Sequence, residues 1–276
     1  MGENVEIIDF HLHIGTREHW NPWVMEFFKG VNPFYHSQFS EQITPEGVFS
    51  YLCTQGISRA VVLAEFAPKT TGVVTNEFIA AFCKGHGAFV PFGAICLYDE
   101  TPYPEQAERA VKDLGIQGFK MLPTYAHFYA DDPKLFPFYD ALQAMGVPVM
   151  FHTGTSIFKG SRIKYGDPLF IDEIADEFPR LRIILEHGGR PFWYDRAFWL
   201  VTRHTNVYIG IAGIPAKHLV IHFPHLEKYA ERFIFGSDWP GISDIKPMAD
   251  KIIDLPYSQE TKERILGGNA REVLGF

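Results

Sequence analysis

The segment Glu6-Ile-Ile-Asp-Phe-His-Leu-His-Ile-Gly15 has the composition of a buried β-strand, because β-branched and aromatic residues dominate it and a glycine ends it. Successive side chains of a strand point to opposite faces, so His11 and His13 share one face. Two imidazoles on one face can present ring nitrogens to a single cation. A lone His-x-His also fits two half-buried histidines that make ordinary hydrogen bonds, so its meaning depends on the rest of the chain.

Seven further apolar segments follow and alternate with predicted helices. Their continuous runs are typical of parallel strands buried on both faces. The predicted strands are 58–64, 88–95, 118–122, 147–152, 182–189, 206–210 and 232–240, and the predicted helices are 45–56, 75–85, 104–114, 134–145, 168–177, 191–203, 215–229, 246–253 and 259–273. Eight such units, without Gly-x-Gly-x-x-Gly after the first strand, indicate one α/β domain over residues 1–276, a (β/α)8 TIM barrel.

An aromatic-rich segment, residues 16–42, separates the first predicted strand from the first predicted helix. Its aromatic residues are Trp20, Trp23, Phe27, Phe28, Phe34, Tyr35 and Phe39. The segment is too long for a simple connector and too aromatic to be disordered. We expect a long loop that either covers a pocket or joins a subunit interface. Together with Trp193 and Trp199 it leaves a homodimer open.

Composition excludes several classes of partner. The net charge is −8 and no run of five basic residues occurs, which argues against nucleic acid and anionic membranes. No apolar stretch approaches the roughly 18 residues of a membrane span, and the amino terminus lacks the pattern of a secretory leader. Cys53, Cys83 and Cys96 fit small core residues better than a disulfide framework. We expect a cytoplasmic protein that acts on a small molecule.

Polar side chains interrupt the apolar strands near their carboxyl ends, where the active site of a (β/α)8 barrel lies. They are His11, His13, Lys120, His152, His187 and Asp238. Each histidine taken alone is compatible with a hydrogen-bonded core residue, and Asp238 with a turn cap. Because all six belong to the same end of the predicted barrel, we expect them to converge in one site.

Four of these segments resemble the motifs of a known enzyme superfamily. Asp9-Phe-His-Leu-His13, Phe151-His-Thr-Gly154, Glu186-His-Gly-Gly189 and Phe235-Gly-Ser-Asp-Trp-Pro240 are similar to those of the amidohydrolase superfamily. They resemble more closely its amidohydrolase-related branch, which includes enzymes like aminocarboxymuconate-semialdehyde decarboxylase. The closing segment 267–274 also resembles the terminal helix of that branch. The resemblance extends over residues 5–276 and specifies the superfamily better than the reaction.

The resemblance implies one divalent metal ion, with zinc as the expected metal, held by His11, His13, His152 and Asp238. It also implies a catalytic role for His187. Three neutral imidazoles and one carboxylate suit such a cation and leave room for a water, whose pKa would fall to roughly 7. Asp238 would orient or deprotonate this water, and His187 would polarise the scissile group or carry a proton.

The role of Lys120 and the role of the nearby arginines are left open by the sequence. In dinuclear members of the superfamily a lysine at the position of Lys120 is carboxylated and bridges two metal ions. The alternative is that Lys120 binds a substrate carboxylate or pairs with Asp238. Arg162 and Arg190, with His127 as a further contact, would meet an anionic substrate, or the arginines are simply solvated.

The function expected from these observations is metal-dependent hydrolysis of a small, carboxylated molecule through a metal-activated water. The alternative is non-oxidative decarboxylation of an aromatic or unsaturated carboxylic acid at the same metal site, since both reactions need a Lewis acid beside a proton-transfer group. A metal-free lactonase and a barrel that only binds its ligand are the remaining interpretations.

Overall fold

Eight parallel strands form a barrel in the computed structural model, which describes residues 5–276. The barrel strands are β1 (Ile8–His13), β2 (Arg59–Leu63), β5 (Phe89–Gly93), β6 (Gly118–Met121), β7 (Val149–His152), β8 (Ile183–Glu186), β9 (Val207–Gly210) and β10 (Phe233–Ile234), while β3 (Glu65–Ala67) and β4 (Gly72–Val74) form a separate antiparallel hairpin. The segment after β10 closes the barrel on β1, with backbone bonds from Phe10 to Phe235 (3.0 Å) and from His13 to Trp239 (2.8 Å). The predicted TIM barrel is confirmed.

Helices connect and surround these strands. They are α1 (Pro22–Val31), α2 (Pro33–Phe39), α3 (Pro45–Thr54), α4 (Asn76–Cys83), α5 (Tyr103–Leu114), α6 (Pro123–Ala126), α7 (Phe136–Met145), α8 (Asp172–Glu177), α9 (Tyr194–Arg203), α10 (Ala216–His222), α11 (Lys246–Ile253), α12 (Gln259–Glu263) and α13 (Asn269–Leu274). Local sequence sets several ends: the Thr44 hydroxyl caps α3 by accepting from the Gly47 amide, and Gly146 ends α7 at φ +67°.

Alternate residues of the strands fill the barrel interior. Ile8, Phe10, Val61, Leu63, Val90, Phe92, Met150, Ile184 and Ile234 form one buried cluster there with Ala270 and Val273 of α13. Continuing the same alternation towards the carboxyl ends brings Lys120, His152 and Glu186 inward. In β1 the pairing register shifts between Asp9 and Leu12, and with this irregularity His11 and His13, rather than Leu12, line the cavity after Phe10.

The aromatic segment 16–42 is not a loop, because α1 and α2 occupy most of it. A proline begins each helix at a position that needs no amide donor, and the Asn32 side chain caps α2 by accepting from the Tyr35 amide. Tyr35 packs edge-on against the buried Trp239, with ring centroids 5.1 Å apart. The segment is thereby fixed above the carboxyl ends of the strands.

Other predicted boundaries also change. The helix expected over 215–229 ends at His222 because Pro224 cannot continue it, and a 3₁₀ turn follows from Leu226 to Arg232. Of the strand expected over 232–240, only Phe233 and Ile234 pair with β9.

The expectation that the cysteines are core residues holds for Cys83 but not for Cys53, which is exposed at the end of α3. Within residues 5–276, no helix combines the length and the apolar character that crossing a bilayer requires. The prediction about the amino terminus involves residues 1–4, which lie outside the described residues.

Candidate active site

The six side chains predicted to converge all line one cavity of about 420 Å³ at the carboxyl ends of the strands. His11 and His13 come from β1, Lys120 from β6 and His152 from β7. His187 and Asp238 lie after β8 and β10 rather than on the strands themselves, with backbone φ angles of +69° and +68°. His and Asp tolerate this left-handed backbone better than most residues.

Two imidazoles and one carboxylate meet on the cavity floor. Nε2 of His11 lies 2.9 Å from Nε2 of His13, and Oδ1 of Asp238 lies 3.5 Å from each of these nitrogens. Burial alone would raise the pKa of Asp238, but the neighbouring His11, His13, His187 and Arg190 hold it well below its usual range. Asp238 is therefore a carboxylate directed at two ring nitrogens.

Two more carboxylates lie behind the two imidazoles. Oε2 of Glu186 is 3.3 Å from Nδ1 of His11, and Oε2 of Glu65 is 3.3 Å from Nδ1 of His13. Both glutamates are buried. Sequence reasoning assigned no role to either one. Glu186 could have been found, because it lies on the inward face of β8 beside His187, whereas Glu65 lies in the unpredicted hairpin and carried no signal.

The charges around the floor of the cavity favour a cation there. Burial lowers the pKa of His11 to about 4, so this imidazole is neutral. With its proton on Nδ1 towards Glu186, Nε2 carries a lone pair directed at His13 and Asp238. Burial would lower the pKa of His13 too, but bonds and charge from Asp238 and Glu65 raise it to about 9. A proton or a metal cation at this point satisfies the same negative potential, and nitrogen and carboxylate donors suit a divalent transition metal.

His187 and His152 complete the ring of imidazoles. Nδ1 of His187 donates to the carbonyl of Ala212 at 2.8 Å, which leaves the lone pair on Nε2. Burial holds the pKa of His187 well below its usual range. One nitrogen of His187 groups with donor atoms of His11 and Asp238 within 4.8 Å of one another. His152 lies outside that group, and its buried Nε2 has no hydrogen-bond partner among the described residues.

Cationic groups flank this cluster. Nζ of the buried Lys120 lies 3.5 Å from Nε2 of His11, and burial lowers the lysine pKa to about 8. Nη2 of Arg190 lies 3.4 Å from Oδ2 of Asp238, and this guanidinium lines the cavity. An anion that enters the cavity therefore meets a guanidinium beside the cation site.

Two predicted substrate contacts are not supported. Arg162 is exposed and lies outside the cavity lining, and its backbone amide donates to the Thr124 carbonyl. His127 also lies outside the lining, and its Nε2 is 2.7 Å from the carbonyl oxygen of Gly160. The imidazole thus fastens the loop after β7 instead of facing the cavity.

Apolar side chains form much of the rest of the cavity wall. They include Trp20, Val24, Phe27, Phe28, Tyr125, Phe158 and Ile242. Phe27 of α1 meets Phe158 edge-on, with ring centroids 5.2 Å apart, and so joins the aromatic segment to the loop after β7. Of the two expected roles of residues 16–42, the structure shows the cover over a pocket. The subunit interface stays a prediction.

Comparison with known proteins supports the resemblance. The family model described as Amidohydrolase matches residues 8–276. A gamma-resorcylate decarboxylase of Polaromonas sp. is 26% identical over 72% of this chain and 74% of its own length. A 2-amino-3-carboxymuconate-6-semialdehyde decarboxylase of Dictyostelium discoideum is 21% identical over 68% of this chain and 61% of its own length.

A solved structure agrees with the fold. A dihydroxybenzoic acid decarboxylase from Polaromonas sp., with bound manganese and the inhibitor 2-nitroresorcinol, superposes with a TM-score of 0.73, 20% identity, and coverage of 98% of this chain and 97% of its own. These names favour the decarboxylase alternative over hydrolysis, which corresponds only to the broader family. Since the family model spans nearly the whole length, the chain belongs to the amidohydrolase family.

Proposed function

We propose that this protein is a metal-dependent, non-oxidative decarboxylase of a small aromatic carboxylic acid. The observation that carries the proposal is one cavity that is lined by a candidate cation site, a guanidinium and aromatic side chains. Aromatic side chains pack favourably against an aromatic ring, and a guanidinium pairs with a carboxylate. The decarboxylases among the relatives support this choice over hydrolysis.

The residues that would hold a divalent ion are His11, His13, His152 and Asp238, with His187 beside them. When bound, the ion would supply a Lewis acid next to the substrate carboxylate. Zinc stays the first expectation from the nitrogen-rich donor set, and the manganese of the Polaromonas enzyme makes Mn²⁺ the second metal to test.

Decarboxylation breaks the bond between the ring carbon and the carboxylate carbon, releases CO₂ and places a proton on the ring carbon. Arg190 orients the carboxylate, and the apolar wall holds the ring and excludes water. His187 carries the proton: its Nε2 takes one from solvent, and burial makes the resulting imidazolium a strong acid. Asp238 keeps negative charge at the cation site and fixes Arg190 at 3.4 Å.

Metal removal tests this proposal. We expect about one divalent ion per chain, and we expect 2,6-dihydroxybenzoate to release CO₂ until a chelator removes the ion. Activity should return with Zn²⁺ or Mn²⁺. The measurements are metal analysis by mass spectrometry and CO₂ release. Release of CO₂ at an undiminished rate from the metal-free protein would contradict the proposal, and hydrolysis of carboxylated lactones or amides without CO₂ release would restore the hydrolase interpretation.

Lys120 decides between one metal ion and two. Its Nζ is close to His11, as a bridging carbamate would require, but the same ammonium also fits a substrate carboxylate. In the metal analysis we expect Lys120→Ala to keep one ion per chain. Two ions in the wild type, with one lost in this variant, would indicate a carboxylated Lys120.

Gly213 leaves the space that the Arg190 guanidinium occupies. Its φ is +64°, and a Cβ at this position would overlap Nη1 of Arg190. We expect Gly213→Ala to displace the guanidinium and to raise KM for the carboxylate substrate about tenfold, the effect of losing one charged hydrogen bond. Gly85→Ala is the matched control, since Gly85 has φ +81° but open space around it. Equal KM values in the two variants would exclude this role for Gly213.

A further inference from the structure

The β3–β4 hairpin lies outside the barrel sheet but reaches the candidate metal site. It is inserted between β2 and α4, and its first residue, Glu65, is buried. Oε2 of Glu65 lies 3.3 Å from Nδ1 of His13, while Oε1 accepts a hydrogen bond from the hydroxyl of the buried Thr71, in the turn of the hairpin. A buried carboxylate is costly unless such partners compensate it. The hairpin therefore holds this charge in one orientation, behind His13.

Glu65 and Glu186 act on the two histidines of β1 in the same way. Each glutamate faces the Nδ1 side of one imidazole, and the two Nε2 atoms meet 2.9 Å apart beside Asp238. An ionised carboxylate accepts a hydrogen bond but cannot donate one. Each glutamate therefore favours the histidine tautomer that carries its hydrogen on Nδ1. This choice leaves Nε2 as the donor to a cation.

We infer that Glu65 is a positioning residue, which holds His13 in the orientation and tautomer that present Nε2 to a divalent cation. This inference rests on the proposed function, because it assumes that the site binds a metal ion. It adds to the site a residue from outside the barrel strands. The hairpin that carries this residue is also hydrogen-bonded to the aromatic segment 16–42. The Asn21 amide donates to the Thr71 carbonyl at 2.9 Å, and Nε1 of Trp23 donates to the Thr70 carbonyl at 2.6 Å.

The test measures metal affinity without substrate. Zn²⁺ binding to metal-free Glu65→Gln is compared with the wild type by competition with a chromophoric chelator. We expect affinity to fall about 10- to 100-fold, as is typical when the carboxylate partner of a ligating histidine is lost. Glu77→Gln, an exposed glutamate on α4, is the matched control and should bind Zn²⁺ like the wild type.

A spectroscopic readout separates positioning from general loss of structure. In the Zn²⁺-loaded protein, the Nδ1–H resonance of His13 should move upfield in Glu65→Gln, while that of His11, which faces Glu186, should stay. If Glu65→Gln does not fold, Thr71→Val keeps the carboxylate but frees it to turn, and should weaken Zn²⁺ binding in the same direction. Wild-type affinity and an unmoved His13 resonance in a folded variant would overturn the inference alone. Absence of any Zn²⁺ or Mn²⁺ binding by the wild type would overturn the proposed function as well.

Discussion

Replacing Asp238 with asparagine is expected to lower the turnover of an aromatic carboxylic acid by about 10³-fold or more and to weaken metal binding in the same variant. Removing this carboxylate takes the negative charge from the point where two ring nitrogens converge, and it also frees Arg190. Loss of one electrostatic group at a reacting centre typically costs about 10²–10³ in rate. Here one residue serves both the cation and the guanidinium, so the larger effect is expected.

The Asp238→Asn variant should keep its fold, which makes the measurement interpretable. Asparagine tolerates the φ of +68° found at this position, and the bond from the backbone amide to the His11 carbonyl, 3.0 Å, involves no side-chain atom. Metal content by mass spectrometry and CO₂ release are the readouts. Asp244→Asn, on an exposed side chain nearby, is the control and should match the wild type. Turnover of Asp238→Asn within tenfold of the wild type would show that this carboxylate is not essential.

The barrel could be predicted because it depends on a coarse and repeated pattern. Continuous apolar runs predict buried parallel strands, and parallel strands share one carboxyl end. Residues at those ends therefore converge whatever the details of the helices. This is why Lys120, His152 and Asp238 could be assigned to one cavity, although the strand containing Asp238 was predicted too long.

Features that depend on a few local interactions could not be predicted in this way. Glu65 reaches His13 through a three-residue strand that is too short to leave a periodic pattern. The prolines at 22 and 33 begin helices, but the aromatic density around them hid this signal. Charge suggested Arg162, and a position in the loop after the fourth strand suggested His127. Whether a loop side chain faces a cavity is decided by backbone turns that carry no hydrophobic period.

Replacing His187 with asparagine is expected to lower turnover about 10²- to 10⁴-fold while one metal ion stays bound. The range is that of a lost proton-transfer group. Nδ1 of His187 is committed to the Ala212 carbonyl, so Nε2 is the atom available to the substrate. Asparagine fits the φ of +69° at this position but provides no group that takes up a proton near neutral pH. In His187→Asn, CO₂ release should therefore fall while metal content stays at one ion per chain. In Asp238→Asn, both should fall.

Added imidazole gives the His187→Asn experiment a second readout. The substitution removes a ring from a cavity of about 420 Å³, so free imidazole can enter and carry the proton. We expect it to restore part of the lost turnover in His187→Asn and to leave Asp238→Asn unchanged, because imidazole cannot replace a carboxylate. His218→Asn, a half-buried histidine of α10 outside the cavity, is the matched control. Full metal content together with full turnover in His187→Asn would exclude His187 as the proton carrier.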